Sequence, residues 1–235
     1  MSIKEIRSDL KRLAERERAT ALQRFFKTGP GEYGEGDRFL GIRVPDVRKL
    51  VKKYRELSIT DTKRLLRSPL HEERLLALLL LVHAFSAGDE KIQKSIYDIY
   101  LENTGFINSW DLVDVSAEHI VGAYLFNKSR KPLYELVRSD LLWDKRISVM
   151  ATFHFIRRDE FDETIRIAKI LLSDSEDLIH KAVGWMLREV GKRHLETEEA
   201  FLKANCRNMP RTMLRYAIEK FPESKRQRYL KGRIR

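Results

Sequence analysis

Apolar residues recur every three to four positions along most of the chain, which is the spacing of amphipathic helices. The strict alternation of apolar and polar residues that would indicate strands is nearly absent. The few Pro and Gly residues fall where such helices would stop. The pattern therefore predicts an all-α protein whose first two helices cover residues 2–15 and 17–27.

The longest apolar run extends from Leu75 to Val82 and is followed by His83. Eight residues are far fewer than the roughly 20 that span a bilayer, so we expect a buried helix and no membrane partner. A second helix is expected from Asp177 onward. Its predicted core positions are Ile179, Ala182, Val183, Met186 and Val190.

Residues 29–37 form the only Gly-rich segment, and it lacks the Gly-Lys-Ser/Thr ending of a phosphate-binding loop. We interpret it as a mobile connector. Pro45 then suits the first turn of a helix, in which Val47, Leu50, Val51 and Tyr54 form the apolar stripe. Another face of the same helix carries the candidate phosphate contacts Arg48, Lys52 and Arg55.

A basic residue that precedes small and branched apolar residues recurs at Arg74, Arg146, Lys181 and Arg215, in steps of 72, 35 and 34 residues. Such a period is typical of stacked helical hairpins of the HEAT type, and we expect one domain over residues 1–235. The step of 72 residues spans two repeats of 36, so one further copy is expected between Arg74 and Arg146. That copy falls at Asp114, where an acid replaces the base. The pattern predicts a row of cations with one carboxylate among them. The alternative, a chance match in an Arg-rich helical chain, stays open.

The charge balance indicates a polyanionic partner. The chain has 46 Lys and Arg against 35 Asp and Glu, a net charge of +11 and a pI near 9.7. Nine bases and two acids lie between Arg211 and Arg235, and we expect residues 225–235 to form a frayed basic tail. The single cysteine, Cys206, and a charged start without a secretory signal predict a reducing, cytoplasmic location.

Residues 109–114 carry the most distinctive candidate chemistry, Ser-Trp-Asp-Leu-Val-Asp. If Ser109 caps a helix, Trp110 and Asp114 project from one face, and Asp111 lies near the positive end of the helix dipole. The alternative is that Asp111 only assists the cap while Trp110 packs in the core.

Trp185 lies among cations on the polar face of the helix that starts at Asp177. One interpretation is a platform that stacks on a base beside phosphates, and the other is an amphipathic Trp that covers the edge of a hairpin. The cations at helical spacing around it are Lys181, Arg188 and Lys192.

Three segments, residues 39–48, 109–114 and 180–189, together resemble the HEAT-like DNA alkylation repair glycosylases of the AlkD family. The resemblance implies a right-handed α-solenoid whose concave basic groove holds duplex DNA with alkylated bases. It also implies hydrolytic removal of purines alkylated at N3 or N7 by a monomer, without a metal or another cofactor. The residues implied at the damaged nucleotide are Asp114, Trp110 and Trp185, with Arg146 as a basic residue that supports them and the DNA backbone. Together with the cations identified from the helix faces, the expected DNA contacts are Arg43, Arg48, Lys52, Arg146, Lys181, Arg188 and Phe25.

One departure from the family concerns Phe25, which stands where active members have tyrosine. It keeps open a non-catalytic HEAT-repeat protein that binds bent or branched DNA. A further alternative is a HEAT scaffold for an acidic protein or ribosomal RNA, with Trp110 and Trp185 as interface anchors. The six histidines show no metal-ligand spacing, and we interpret them as solvated or satisfied core residues.

Overall fold

The computed structural model describes residues 2–233, which are 71% helical and contain no strand, so the prediction of an all-α protein is confirmed. The chain divides into two compact units, Met1–Ile120 and Val121–Arg235. The single repeat domain over residues 1–235 stays a prediction. Within the described range, no helix is long and apolar enough to cross a membrane.

The first unit contains seven α-helices within its described residues. The predicted pair at 2–15 and 17–27 is present as α1 and α2, and the helix that follows Arg43 has Pro45 in its first turn, as expected. The helices are α1 (Ile3–Leu13), α2 (Arg16–Phe25), α3 (Val44–Tyr54), α4 (Ile59–Leu66), α5 (His71–Ala87), α6 (Glu90–Glu102) and α7 (Trp110–Asp114).

Helix α5 forms the centre of the first unit, and α3, α4, α6 and α7 pack against it. It contains the apolar run from Leu75 to Val82, most of which is buried, as predicted. Its first turn is buried too, although it is polar. There the Glu72 carboxylate accepts hydrogen bonds from the backbone N–H groups of Leu40 (2.8 Å), Gly41 (2.8 Å) and Ile42 (3.1 Å). The carboxylate thus fixes the segment that leads into α3.

The Gly-rich segment is a hydrogen-bonded turn structure, not the mobile connector that its composition suggested. The N–H of Gly34 donates to the Lys27 carbonyl (3.0 Å), and the N–H of Gly36 donates to the Thr28 carbonyl (3.3 Å). The segment ends at Asp37, which is buried. It therefore folds back on the end of α2 and delivers a carboxylate to the interior.

The second unit contains nine α-helices in its described part, around a central α13 that packs against α10, α14 and α15. All five predicted core residues of α13 are fully buried. The helices are α8 (Ala123–Leu125), α9 (Lys131–Leu136), α10 (Leu142–Ala151), α11 (Phe153–Ile156), α12 (Asp162–Ile170), α13 (Asp177–Arg193), α14 (Leu195–Asn205), α15 (Arg211–Ala217) and α16 (Glu223–Leu230).

The predicted basic tail is largely a packed helix. In α16, Tyr229 is buried, and Lys225 pairs with Glu199 of α14. The Arg211 side chain of α15 also donates to the Leu230 carbonyl (2.9 Å). The prediction of a frayed tail is therefore wrong for α16, because Tyr229 is buried and both Lys225 and the Leu230 carbonyl have partners in the unit. Residues 234 and 235 lie outside the described range.

Gly184 allows α13 and α15 to approach closely. A Cβ atom at this position would lie 2.4 Å from the Met213 carbonyl oxygen and 2.5 Å from the Tyr216 Cβ. We expect Gly184→Ala to lower the free energy of unfolding by about 1–3 kcal/mol, because the helices must separate to admit the methyl group. Urea unfolding measures the loss.

The matched control is Gly105→Ala, because no atom lies within 4 Å of a Cβ there. We expect it to be neutral or slightly stabilising, since alanine restricts the unfolded chain. Equal stability of the two variants would contradict the close approach at Gly184.

Candidate active site

Helix α7 places Trp110 and Asp114 one turn apart. Ser109 precedes the helix with an extended backbone, as predicted for an N-cap. Its hydroxyl does not bond to a backbone N–H of the helix, and it donates instead to Asp111 Oδ1 (2.7 Å). Ser109 therefore lies at the start of the helix, but its side chain stabilises Asp111 and does not cap a backbone N–H.

The two carboxylates of α7 have different surroundings. Both oxygens of Asp111 are engaged, since Oδ1 accepts from Ser109 and Oδ2 lies 2.9 Å from His71 Nε2. Asp114, at the other end of α7, is partly exposed. Asp111 thus holds the helix in place, and Asp114, one turn after Trp110, is the acid of this helix that the sequence predicts to act on a ligand.

Trp110 belongs to an aromatic cluster made of Phe25, Phe26, Phe39, His71 and Trp110. The Phe26 ring stacks on Trp110 on one side (centroids 5.2 Å apart) and on Phe39 on the other (4.9 Å). Phe39 in turn stacks on His71 (4.3 Å). The cluster holds the half-buried indole in a fixed orientation.

Phe25 is the outermost member of the aromatic cluster, with 64% of its surface exposed. Its ring meets Trp110 edge to face, with the centroids 6.1 Å apart. An exposed phenyl beside an indole is a surface on which a nucleobase could stack, but the phenyl has no hydroxyl to donate a hydrogen bond.

Sequence reasoning missed Asp37 and Phe39 and did not place His71 in the site, although it correctly expected satisfied core histidines. His71 is buried between Asp37 Oδ2 (2.7 Å) and Asp111 Oδ2 (2.9 Å). The available signal was the polar sequence His-Glu-Glu-Arg at the head of the most apolar helix, where buried charges need partners.

Trp185 lies in the second unit on α13 and is partly exposed. Its indole N–H donates to Glu189 Oε1 (3.0 Å), and its ring meets Phe153 edge to face at 6.1 Å. The indole is therefore held by a carboxylate one turn away. Its part in the lesion cluster stays a prediction.

The predicted row of recurrent cations is wrong for two of its four members. Arg74 is 4% exposed, and its guanidinium donates to Asp37 Oδ1 (2.8 Å) and to the Ser68 carbonyl (3.0 Å). Arg146 is also 4% exposed, and it donates to the Leu178 carbonyl (2.7 Å). Burial removes both from the surface, so the predicted phosphate contact of Arg146 is not available in this structure.

The other cations near Trp185 are paired with acids. Lys181 contacts Asp177 (2.7 Å), whereas Arg188 contacts Glu189 (3.7 Å) and Glu219. A phosphate would have to displace these carboxylates, which weakens the expected gain from either cation.

In the first unit, α3 presents exposed cations beside its buried stripe. Arg48 and Lys52 lie one turn apart and form no ion pair with any residue from 2 to 233. Arg43 is exposed as well but pairs with Asp46 (2.9 Å). Arg48 and Lys52 are therefore the most accessible of the predicted phosphate contacts.

Comparison with known proteins shows the family to which this chain belongs. Residues 6–221 match the model of the DNA alkylation repair enzyme family, so the chain belongs to that family. Membership gives it a role in the repair of alkylated DNA, with DNA as its partner. The resemblance noted in the sequence is thereby confirmed.

A solved structure with a similar fold is the predicted DNA alkylation repair enzyme from Enterococcus faecalis. The TM-score is 0.71 at 16% sequence identity, over 88% of this chain and 96% of that one. A search of curated protein sequences gives no significant match. The structural likeness establishes the fold alone, and the finer activity is inferred from the residues.

Proposed function

We propose that this protein is a DNA glycosylase that removes positively charged N3- or N7-alkylated purines from duplex DNA by hydrolysis of the N-glycosidic bond. The observation that carries the proposal is the placing of Trp110 and Asp114 one turn apart on α7. The indole is fixed by stacking on Phe26, Asp111 is held by Ser109 and His71, and Asp114 is partly exposed. A carboxylate beside a rigid aromatic ring suits a cationic substrate.

The chemistry follows from the charge of the lesion. An alkylated purine that carries a positive charge is already a good leaving group, so no acid has to protonate it. When the bond to the sugar breaks, the deoxyribose takes on oxocarbenium character, as in glycoside hydrolysis. The Asp114 carboxylate would stabilise that charge and orient or deprotonate the attacking water.

Selectivity for charged lesions is expected from the aromatic groups. The faces of indole and phenyl rings attract cations, and each such contact contributes about 1–2 kcal/mol when it is desolvated. Trp110 and Phe25 offer such a surface in the first unit, and Trp185 offers another aromatic surface in the second unit. An uncharged purine lacks this attraction and is a poorer leaving group.

The direct test is incubation of the protein with a duplex that contains 7-methylguanine, followed by measurement of the free base. We expect 7-methylguanine to appear in proportion to the protein, and unmodified guanine to stay in the DNA. If no base is released from any methylated duplex, the proposed activity is wrong.

The α3 cations give a second prediction, on binding. Each phosphate contact that is lost flattens the dependence of log K on log salt concentration by about 0.9. We expect Arg48→Gln/Lys52→Gln to weaken duplex binding regardless of sequence and to flatten the slope by about 1.8. Fluorescence anisotropy at several salt concentrations measures both effects.

Lys91→Gln/Lys169→Gln is the matched control, because it removes two exposed cations elsewhere in the chain. It should leave the slope near that of the unchanged protein. An equal change in both variants would mean that net charge, not contact at α3, governs binding.

A non-catalytic DNA-binding protein is the second candidate function. The observation in its favour is Phe25, an exposed ring without the hydroxyl that the resemblance leads one to expect. Duplex binding without base release would favour this alternative.

A further inference from the structure

A buried chain of charged groups links three segments of the first unit. Asp37 ends the Gly-rich segment, His71 begins α5 and Asp111 lies in the first turn of α7. The side chains of Asp37 and His71 are 2% and 3% exposed, and that of Asp111 is 17% exposed. These three charged side chains are therefore almost wholly shielded from water.

Both nitrogens of His71 face carboxylate oxygens, at 2.7 Å for Nδ1 and 2.9 Å for Nε2. A neutral imidazole has one N–H and satisfies only one such acceptor, whereas an imidazolium donates to both. Between two ionised carboxylates, the geometry therefore favours a proton on each ring nitrogen. Burial alone would lower the pKa of His71, but the hydrogen bonds with Asp111 and Asp37 outweigh it and raise the pKa to about 9.

The other charged groups near His71 are Asp37, with its partner Arg74, and the two acids that follow His71 on α5. Burial acts to raise the pKa of Asp37, but its hydrogen bond with His71 and the charge of Arg74 outweigh burial and lower it. The two acids that follow His71 on α5 have other partners, the backbone N–H groups of residues 40–42 for Glu72 and the Arg7 side chain for Glu73. The aromatic rings of Phe26 and Phe39, which pack on His71, carry no charge.

Helix α7 needs such an anchor because it has only five residues, too few to be stable alone. Its first turn is held by the contacts of Asp111 and by the stacking of Trp110 on Phe26. Asp114 follows Asp111 by three residues, roughly one helical turn. The position of the Asp114 backbone therefore depends on the group that holds Asp111.

We propose that His71 is a positioning residue for the reaction. Its imidazolium bridges Asp37 and Asp111 and fixes α7, so that Trp110 and Asp114 are correctly placed to contact the damaged nucleotide. The catalytic part of this proposal rests on the glycosylase function proposed above. The structural part, that His71 orders α7, is independent of that function.

The variant that tests the proposal is His71→Gln, which keeps a polar side chain but removes the imidazolium. His83→Gln is the control, because His83 lies on the same helix α5 and is exposed. Hydrogen exchange followed by mass spectrometry reports the order of α7. We expect amides of residues 110–114 to exchange at least tenfold faster in His71→Gln and to be unchanged in His83→Gln.

Catalysis is measured as single-turnover release of 7-methylguanine. We expect a loss on the order of 100-fold in His71→Gln, because a displacement of about 1 Å in a catalytic group can have an effect of this size. The dissociation constant for duplex DNA should change by less than about twofold, since His71 is buried and cannot contact a phosphate.

Asp111, which contacts His71 Nε2 from the other side, gives a graded test. Asparagine at position 111 keeps an oxygen that accepts from His71 Nε2, whereas leucine does not. We expect Asp111→Asn to lose less activity than Asp111→Leu. We also expect its α7 amides to keep more of their protection from hydrogen exchange. This pair also decides the proposal if His71→Gln fails to fold.

The protonation of His71 has its own signature. Histidine ¹⁵N spectra at pH 7.5 should show one imidazolium that His71→Gln removes. Because its folded pKa is raised, its stabilising effect is complete below about pH 6.5 and is lost as pH rises through about 9. The midpoint of thermal unfolding should therefore fall more over this window in the unchanged protein than in His71→Gln.

The outcomes separate this proposal from the proposed function. A folded His71→Gln variant with normal α7 exchange and normal base release overturns the positioning role, and so does a neutral His71 at pH 7.5. If the unchanged protein releases no base, the glycosylase function fails. The exchange experiment still decides in that case whether His71 orders α7.

Discussion

Asp114→Asn is expected to abolish release of 7-methylguanine from methylated duplex DNA while leaving the affinity for duplex nearly unchanged. The substitution keeps the size of the side chain but removes the negative charge that would stabilise the oxocarbenium-like sugar. Loss of one preorganised electrostatic group of this kind lowers a rate by on the order of 100- to 1,000-fold, and a role in activating water adds to the loss. Single-turnover base release and fluorescence anisotropy measure the two quantities.

The control for Asp114→Asn is Glu56→Gln, which also removes one carboxylate from the first unit, at an exposed position beside Arg55. Both variants raise the net charge by one, so both should bind DNA equally well or slightly more tightly. Only Asp114→Asn should lose excision. An Asp114→Asn protein that still releases base at the normal rate would remove this residue from the mechanism.

Glu72→Ala is expected to produce a large loss of stability in the first unit. Glu72 is 1% exposed, and its carboxylate accepts three backbone hydrogen bonds from residues 40–42. Alanine leaves these donors in the interior without an acceptor, and each unsatisfied buried group costs about 1–3 kcal/mol. Allowing for the cost of burying the charge itself, we expect a loss of roughly 3–5 kcal/mol in the free energy of unfolding.

A graded variant makes the Glu72 prediction sharper. Oε1 serves Gly41 and Ile42, and Oε2 serves Leu40, so the single amide oxygen of Glu72→Gln can keep at most the first two bonds. We expect an intermediate loss for Glu72→Gln in urea unfolding followed by circular dichroism. Glu17→Ala, at an exposed position of α2, should change stability by less than about 0.5 kcal/mol. If Glu72→Ala matches that control, the hydrogen bonds to residues 40–42 do not stabilise the fold.

The helices were largely predictable from the sequence because their apolar spacing is a local property. The stripe on α13 and the buried run in α5 depend on residues a few positions apart, and both are present as expected. The short helix α7 was predicted from Ser109 and the residues that follow it. Here too the signal lay within six residues.

The partners of buried charges could not be predicted, because they are distant along the chain. Asp37 meets His71 from 34 positions away, and Asp111 from 40. A histidine and an arginine at the start of a helix are typical of a solvated turn, so Arg74 was expected on the surface. Only the packing of the Gly-rich segment and α7 on α5 makes these residues interior.

The cations were misjudged for a similar reason. A basic residue at a fixed place in a helical repeat was interpreted as part of a binding surface, yet Arg74 and Arg146 instead donate to carbonyls and carboxylates inside their units. Arg48 and Lys52, identified from one helix face, do lie exposed. Side-chain direction on one helix is predictable, whereas burial between helices depends on the fold.

The contact at Gly184 limits how this sequence can diverge. Large side chains in the α13 core can change together, since the loss of volume in one is offset by a gain in a neighbour. The backbone contact with α15 has no such compensation, because the obstacle to a Cβ is a carbonyl oxygen. Substitution here would require the two helices to shift as bodies, so this single position constrains the evolution of the unit more tightly than the apolar residues around it.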